Sequence, residues 1–124
     1  MKKSKIQIRQ IGTVHKTSGS SIKKIEIFPE YSEGLDGLKN LNEIEVYYWM
    51  HRLKEKDRGI LKVHPKGDPV RPLTGVFALR SPKRPNPIGE TRVKIHKIED
   101  NRILVKGLDA FDGSPVIDIK HCRE

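Results

Sequence analysis

Apolar and polar residues alternate in short stretches along most of this chain, and no stretch repeats with the longer period of an amphipathic helix. In residues 43–51, for example, Ile44 and Met50 mark one face of a strand while Glu45 and Trp49 mark the other. Alternation of this kind predicts a first strand marked by Ile6, Ile8 and Val14, and further strands over residues 22–28, 43–51, 60–63, 74–79, 91–98, 102–106 and 116–119.

About seven short strands with little helix predict an all-β, mainly antiparallel fold, either a small β-barrel or a strongly bent sheet. Residues 91–98 and 102–106 are expected to form a hairpin, residues 29–40 an irregular segment, and residues 17–21 a flexible loop. A chain of 124 residues can bury one modest core, so we expect a single domain over residues 1–124.

The charge of the chain favours a polyanionic partner. Twenty-five Lys and Arg face 16 Asp and Glu, which gives a formal charge of +9 and a pI near 9.8. Nucleic acid fits this balance better than a membrane surface does. We find neither an apolar run of about 18 residues that could span a membrane nor an apolar signal core after the first lysines, so we expect a cytoplasmic protein.

The cysteine and histidine content argues against a metal site. The single cysteine, Cys122, excludes an internal disulfide and a cysteine-based zinc cluster. His64 and His96 have no metal-ligand spacing with another His, Cys or carboxylate pair. We therefore expect no metal.

The most unusual passage is residues 80–89, RSPKRPNPIG, in which three prolines alternate with three cations. We call this segment the proline loop. Each proline fixes its own φ and restricts the residue before it, so the loop should be stiff and lose little entropy on binding. Arg80 and Arg84 can hold a carboxylate or phosphate through forked hydrogen bonds, and Asn86 can both donate and accept. Gly89 would allow a close approach. The alternative is a surface loop that is rigid only for stability.

The segment GVFALRSPKRPNPIG at residues 75–89 resembles the signature of the TsaA-like family, also called the tRNA methyltransferase O family. The resemblance covers nearly the whole chain. Further matching blocks are IGTV at 11–14, IEIFPEY at 25–31, GLDGL at 34–38, YWMHR at 48–52 and GLDAFDGSPVIDIK at 107–120.

The resemblance implies a small β-barrel that binds S-adenosyl-L-methionine, usually forms a homodimer, and methylates N6 of threonylcarbamoyladenosine beside the anticodon of tRNA. The residues are compatible with this. The chain has no G-x-G-x-x-G after a strand, and it is too short for a doubly wound sheet, so a cofactor site would be of another kind.

Residues carried over from the family form two groups. The cofactor contacts implied by the resemblance are His15, Lys16, Thr17, His51, Arg52, Arg80, Glu90, Asp109, Ala110, Phe111 and Asp112. The substrate contacts expected from the proline loop are Ser81, Lys83, Arg84 and Asn86. Arg80 would meet the methionine carboxylate or nearby backbone, and an acidic residue of the 109–112 turn would suit the ribose hydroxyls or the adenine amine.

Methyl transfer to an exocyclic nitrogen requires that the nitrogen lose a proton, so a nearby carboxylate would help. Asp118 is the first candidate for this base and Asp109 the second. The alternative for Asp118 is a salt bridge to Lys120.

Two departures from the family keep other functions open. Glu90 stands where members commonly carry leucine, and residues 121–124 replace the usual proline-containing close. The alternatives are a non-catalytic module that binds S-adenosyl-L-methionine or RNA on the same barrel, and a methyltransferase for another acceptor. A small-molecule acceptor is disfavoured because it needs no surface as basic as this one.

Overall fold

Six antiparallel strands close into a barrel in a computed structural model that describes residues 1–18 and 21–123. The strands run around the barrel in the order β1, β2, β7, β6, β3, β8, and β8 pairs with β1 to close it. Two further strands, β4 and β5, form a separate two-stranded sheet. Their bounds are β1 Gly12–Lys16, β2 Ile22–Ile27, β3 Glu43–Trp49, β4 Lys62–Val63, β5 Thr74–Gly75, β6 Ile88–Glu99, β7 Arg102–Lys106 and β8 Pro115–His121.

The predicted all-β, antiparallel fold is confirmed. Of the two predicted alternatives, the structure is the closed barrel and not the bent sheet. Alternation of side chains decides which face is buried. In β3, Ile44, Val46 and Tyr48 point into the barrel, and the residues between them point outward. Val14 from β1 and Ile25 from β2 are fully buried against them in the same core. The core therefore fills the barrel, and any site must lie on its rim or outer surface.

The four connections between β2 and β6 contain short 3-10 helices, and no α-helix occurs in residues 1–18 and 21–123. The segment predicted as irregular contains two of them, Pro29–Leu35 and Leu38–Asn40, whose leucines pack against one end of the core. The others are Glu55–Gly59, Pro65–Gly67 and Val76–Ala78. The described part of the chain also has no helix long and apolar enough to cross a membrane.

The prediction that the first strand includes Ile6 and Ile8 is wrong. Residues 1–10 form no strand, and the Ile6 side chain is 85% exposed. β1 begins at Gly12, whose register partner on β8 is Val116. Alternation is not sufficient for a strand, because an extended segment also needs a neighbouring strand for its backbone hydrogen bonds.

The strand predicted over residues 74–79 is only partly correct, because β5 ends at Gly75 and the apolar residues after it form a tight turn. The Leu79 amide donates to the Val76 carbonyl at 3.1 Å. The Arg84 guanidinium donates to the carbonyls of both Val76 and Leu79, which holds this turn closed. The predicted strand over residues 60–63 is likewise short, while β6 begins at Ile88, before the predicted residue 91. Gly19 and Ser20 of the predicted 17–21 loop lie outside the described residues.

Candidate functional site

A cavity of about 680 Å³ lies at the rim of the barrel, where four segments meet. They are the end of β3 with the turn after it, the proline loop, the start of β6, and the loop between β7 and β8. The volume falls within the range of roughly 300–1,000 Å³ found for small-molecule sites. The lining residues are Tyr47, Tyr48, Met50, Arg52, Leu53, Leu79, Arg80, Ser81, Pro82, Arg84, Ile88, Gly89, Glu90, Thr91, Asp109, Phe111 and Ser114.

Tyr48 joins three of these segments. Its hydroxyl donates to the Asp109 carbonyl at 3.1 Å and lies 3.3 Å from Thr91 Oγ1. Gly89 is its register partner on β6, and a Cβ at Gly89 would stand only 2.4 Å from the Tyr48 ring. The sequence predicted that Gly89 allows a close approach, and the group that approaches it is this ring.

Two arginines fix the proline loop. Arg84, which belongs to the loop, donates to the backbone carbonyls of Val76 and Leu79. Arg58 donates through Nε to the Pro85 carbonyl at 2.6 Å and also reaches Asn86 Oδ1 at 3.3 Å. The loop is therefore rigid through these bonds as well as through its prolines.

The sequence pattern assigned no role to Arg58. Its guanidinium also lies 5.3 Å from the centre of the Trp49 ring, a cation–π distance. Nothing local in the sequence distinguishes Arg58 from its charged neighbours, because its partners lie 27 and 28 residues further along the chain.

Arg80 and Glu90 form an ion pair on the cavity wall. Arg80 Nη2 lies 3.3 Å from Glu90 Oε1 and 3.2 Å from the Glu90 carbonyl oxygen. Hydrogen bonds to Glu90 and then to Glu45 raise the pKa of the neighbouring Tyr47, because the carboxylates favour the protonated phenol. The Arg80 side chain is 74% exposed, so most of its donors remain open to a ligand.

A stacked pair forms the opposite wall. The Arg52 guanidinium lies 4.2 Å from the centre of the Phe111 ring, and the Phe111 side chain is largely exposed. Asp109 lies close by in the same loop. Within the described part of the chain, Asp109 and Glu90 are the two carboxylates that line the cavity, and Glu90 is already paired with Arg80.

Seven of the residues predicted for the site line this one cavity, although they come from four separate parts of the sequence. They are Arg52, Arg80, Ser81, Arg84, Glu90, Asp109 and Phe111.

The predicted residues at the end of β1 lie beside the cavity loop and do not line the cavity itself. The Lys16 amide donates to Asp112 Oδ1 at 2.8 Å, which joins β1 to the loop before β8. His15 Nε2 lies 3.3 Å from Glu26 on the neighbouring strand. Thr17 Oγ1 donates to the Ile22 carbonyl.

The remaining predicted residues lie outside the cavity lining. Ala110 is buried, and its carbonyl accepts from Lys23 Nζ at 2.6 Å. His51 lies beside Gly113, and its Nε2 would be 3.9 Å from a Cβ atom placed on that glycine. Asn86 accepts from Arg58. Lys83 lines an adjoining groove.

Asp118, the first candidate for the base, lies on the outer face of the barrel. It is the register partner of Tyr47, whose side chain does line the cavity. Asp118 Oδ1 accepts the backbone N–H of Ile119 at 2.9 Å, and no salt bridge joins it to Lys120 in the described residues. Asp109 therefore lines the cavity. Asp118 lies outside the cavity lining, on β8, opposite Tyr47 of β3. Groups of three or more His, Cys, Asp or Glu that could hold a metal ion do not occur in residues 1–18 and 21–123.

Comparison with known proteins gives consistent matches. Residues 4–123 match the family described as tRNA-methyltransferase O N-terminal domain. A "Probable S-adenosyl-L-methionine-binding protein" of Methanocaldococcus jannaschii is 50% identical over 114 residues, which are 91% of this chain and 89% of that protein. The S-adenosyl-L-methionine-binding protein of Archaeoglobus fulgidus is 49% identical over 100 residues, 81% of this chain and 68% of the relative.

A crystal structure of TrmO matches 97% of this chain with a TM-score of 0.75 at 26% identity, and this chain spans 58% of that longer protein. The match includes the barrel and the loops that surround the cavity, because it leaves almost none of the chain unaligned. The resemblance seen in the sequence is confirmed: the chain belongs to the tRNA-methyltransferase O N-terminal domain family.

Proposed function

We propose that this chain, as a single domain over residues 1–124, is an S-adenosyl-L-methionine-dependent tRNA methyltransferase. Its acceptor is N6 of threonylcarbamoyladenosine next to the anticodon. The observation that carries the proposal is the convergence of three segments of the family pattern, residues 48–52, 75–89 and 107–120, on the cavity of about 680 Å³. Family membership and the names of the relatives support the cofactor and the substrate class.

The residues that line the cavity fit this cofactor. Arg80 offers forked donors to the methionine carboxylate, and the Asp109 carboxylate suits the ribose hydroxyls or the adenine amine. The exposed Phe111 ring, backed by Arg52 at 4.2 Å, offers a flat face to adenine or to a positively charged sulfur. When bound, S-adenosyl-L-methionine supplies a methyl group on a sulfonium, which is already a good leaving group.

Because the leaving group is supplied, the protein's main tasks are to align the acceptor nitrogen and to exclude water. The rigid proline loop serves the first task, since hydrogen bonds from Arg58 and Arg84 fix its shape. The remaining task is removal of a proton from the acceptor nitrogen. We propose Asp109 for this task, because its side chain lines the cavity, whereas Asp118 lies outside the cavity lining, opposite Tyr47.

Charge supports RNA as the acceptor. The formal charge of +9 favours binding to a phosphate backbone, which salt should weaken steeply. Ser81, Lys83 and Asn86 are exposed or half-buried on the proline loop and remain our proposed substrate contacts. Arg84 is proposed to act through the loop's shape, because its guanidinium is already bonded to backbone carbonyls.

The test is transfer of labelled methyl from S-adenosyl-L-methionine to tRNA that carries the threonylcarbamoyl modification, compared with tRNA that lacks it. We expect label only on the modified tRNA. Label on neither, with cofactor still bound, would favour a non-catalytic binding module. Label on both would point to another nucleoside as the acceptor.

Two matched variants separate the candidate bases. Asp109→Asn should lower kcat by about a hundredfold or more if Asp109 takes the proton, because a positioned base contributes roughly 10²–10⁴-fold. Asp118→Asn removes the same charge from β8, outside the cavity lining, and should leave kcat within a few-fold of the parent. Cofactor affinity measured by calorimetry shows whether Asp109 acts in binding instead. The reverse order of effects would return the assignment to Asp118.

We also propose that the protein is a cytoplasmic homodimer, as the family resemblance implies. Several large apolar side chains are exposed outside the cavity lining, which supports burial of that surface against a second copy. They include Leu61, Leu73 and Phe77. Light scattering at several protein concentrations tests the dimer, and a mass of 14.2 kDa at all of them would contradict it.

A further inference from the structure

A second groove of about 610 Å³ adjoins the cofactor cavity. Its two walls are the segment around the 3-10 helix Pro65–Gly67 and the first part of the proline loop. Leu79, Arg80, Ser81 and Pro82 line both spaces, so only this short segment separates the groove from the cavity. A ligand in the groove would therefore lie directly beside one in the cavity.

The ionisable residues that line the groove are all basic. His64, Lys66 and Arg71 line one wall, and Arg80 and Lys83 line the other. No carboxylate lines it within the described residues. The cofactor cavity, in contrast, includes two carboxylates. Cations that face each other across a groove without carboxylates favour an anion that extends along it.

The wall formed by residues 64–71 is held in a defined shape. His64 Nδ1 donates to the Arg71 carbonyl at 2.7 Å and so closes the segment at its base. Inside it, the Gly67 amide donates to the His64 carbonyl, and the Val70 amide donates to Asp68 Oδ1. Since Nδ1 of His64 is a donor here, its Nε2 is left for another partner.

The cations of the groove are open to a ligand. Lys66 and Lys83 are exposed, and neither side-chain nitrogen has a hydrogen bond or ion pair among the described residues. Arg71 has one ion-pair partner, Asp68, at the long distance of 3.9 Å. Arg80 shares one nitrogen with Glu90.

We infer that this groove binds the sugar–phosphate backbone of the RNA strand next to the target nucleoside. The inference rests on the proposed function and deepens it. RNA is read by proteins mainly where single-stranded bases can be splayed out of a loop, and the anticodon loop is such a region. When the target base lies in the cavity, the adjacent phosphates lie in the basic groove, on the other side of residues 79–82. His64 and Lys66, to which the sequence assigned no role, become RNA contacts.

The test compares two double variants that remove the same charge. Lys66→Gln with Lys83→Gln neutralises one cation on each wall of the groove. Lys94→Gln with Lys106→Gln neutralises an exposed cross-strand pair on β6 and β7, away from the groove. Binding of unmodified and modified tRNA is measured by filter retention over a range of salt, and S-adenosyl-L-methionine binding is measured by calorimetry.

We expect the groove double variant to bind tRNA about tenfold more weakly than the control double variant at low salt. The slope of log affinity against log salt should fall by about 1.4, because each single-strand phosphate contact contributes about 0.7. Affinity for S-adenosyl-L-methionine should stay within twofold of the parent for both variants.

Three outcomes would overturn the inference. Equal tRNA affinity of the two double variants, with the parent methylating tRNA, would reject the groove and leave the proposed function standing. Loss of cofactor affinity in the groove variant would show that Lys66 and Lys83 serve the cavity. A parent protein that binds no tRNA would reject the proposed function and the groove together.

Discussion

The two ends of strand β6 each lie beside a cavity, and the two cavities differ in the way that matters for function. At the far end, residues 95–100 and the segment 32–42 enclose about 1,050 Å³. At the near end, Ile88–Thr91 contributes to the smaller cavity of about 680 Å³. Size alone would select the far end. Convergent polar groups on a rigid frame select the near end, because those groups give a site its orientation and specificity.

Rigidity is the clearest physical difference. The near cavity is bordered by a loop bonded to two arginines and by Tyr48, whose hydroxyl joins β3 to the β7–β8 loop. The far cavity is formed by two segments only, and β6 is irregular there, with a register shift between Ile95 and Lys97. No arginine lines the far cavity in the described residues, whereas three line the near cavity. The far cavity therefore resembles a solvated depression of the protein surface more than a binding site.

Of the variants that test the contrast between the near and far cavities, Gly89→Ala should have the largest effect. The new methyl would lie 2.4 Å from Tyr48, a ring that is 6% exposed and cannot move without losing its bond to the Asp109 carbonyl. Overpacking of this kind destabilises by roughly 1–3 kcal/mol. We expect a loss of that size in urea unfolding, together with loss of cofactor binding.

Gly34→Ala is the matched control for this variant. A Cβ at Gly34 has no atom within 4 Å, and its backbone does not have positive φ. We expect its unfolding free energy to stay within about 0.5 kcal/mol of the parent, as for most surface substitutions. If both alanines were tolerated equally, Tyr48 would not fix the near cavity.

The next effect is selective for binding. Arg80→Ala should abolish S-adenosyl-L-methionine binding in calorimetry and leave the fold intact, because its ion pair with Glu90 is exposed and such pairs contribute little to stability. Arg92→Ala is the control, since Arg92 pairs with Glu43 at the same 3.3 Å and lies two residues beyond Glu90 on β6. Equal cofactor binding by Arg80→Ala and Arg92→Ala would reject Arg80 as the cofactor anchor.

The near cavity also shows how far the sequence could predict this molecule. Strands with strict alternation, such as β3 and β7, were placed to within two residues, because one buried face fixes their register. The proline loop was located by its composition. The partners of its arginines were not foreseeable, because Arg84 bonds to backbone carbonyls and Arg58 reaches the loop from 27 residues away. The sequence placed Asp118 before Asp109 as the candidate base, because it could not show that Asp109 lines the cavity and that Asp118 lies outside its lining.

The failed strand at Ile6 and Ile8 has the same origin. A period of two describes only the chain's own side chains, whereas a strand depends on a partner that the local sequence does not name. At Val76–Ala78 an apolar run forms a turn, and the guanidinium of Arg84, eight residues after Val76, bonds to the carbonyls of Val76 and Leu79. Local pattern thus predicts the wall of the barrel better than it predicts its rim.

The smallest effect is expected at the far end of β6. Lys97 lies 2.5 Å from Glu99 and, as the main cause, lowers the pKa of that carboxyl below its ordinary value of 4.5. A carboxyl with a lowered pKa in the folded state stabilises the protein above its ordinary pKa, and this stabilisation is lost as pH falls through the lowered value. Lys97→Gln should therefore reduce stability slightly at pH 7, and the difference from the parent should shrink in more acidic urea titrations.

Measurement of S-adenosyl-L-methionine binding by Lys97→Gln tests whether the far cavity takes part in binding. Lys97 lines the larger cavity, so Lys97→Gln should leave S-adenosyl-L-methionine affinity within twofold of the parent if the far end plays no part in binding. A loss of affinity as large as that of Arg80→Ala would mean that the cavity chosen by chemistry is the wrong one. Arg80 pairs with Glu90 near the start of β6 and Lys97 pairs with Glu99 at its end. Because each variant removes one exposed cation of an ion pair, the location of the site should separate their effects.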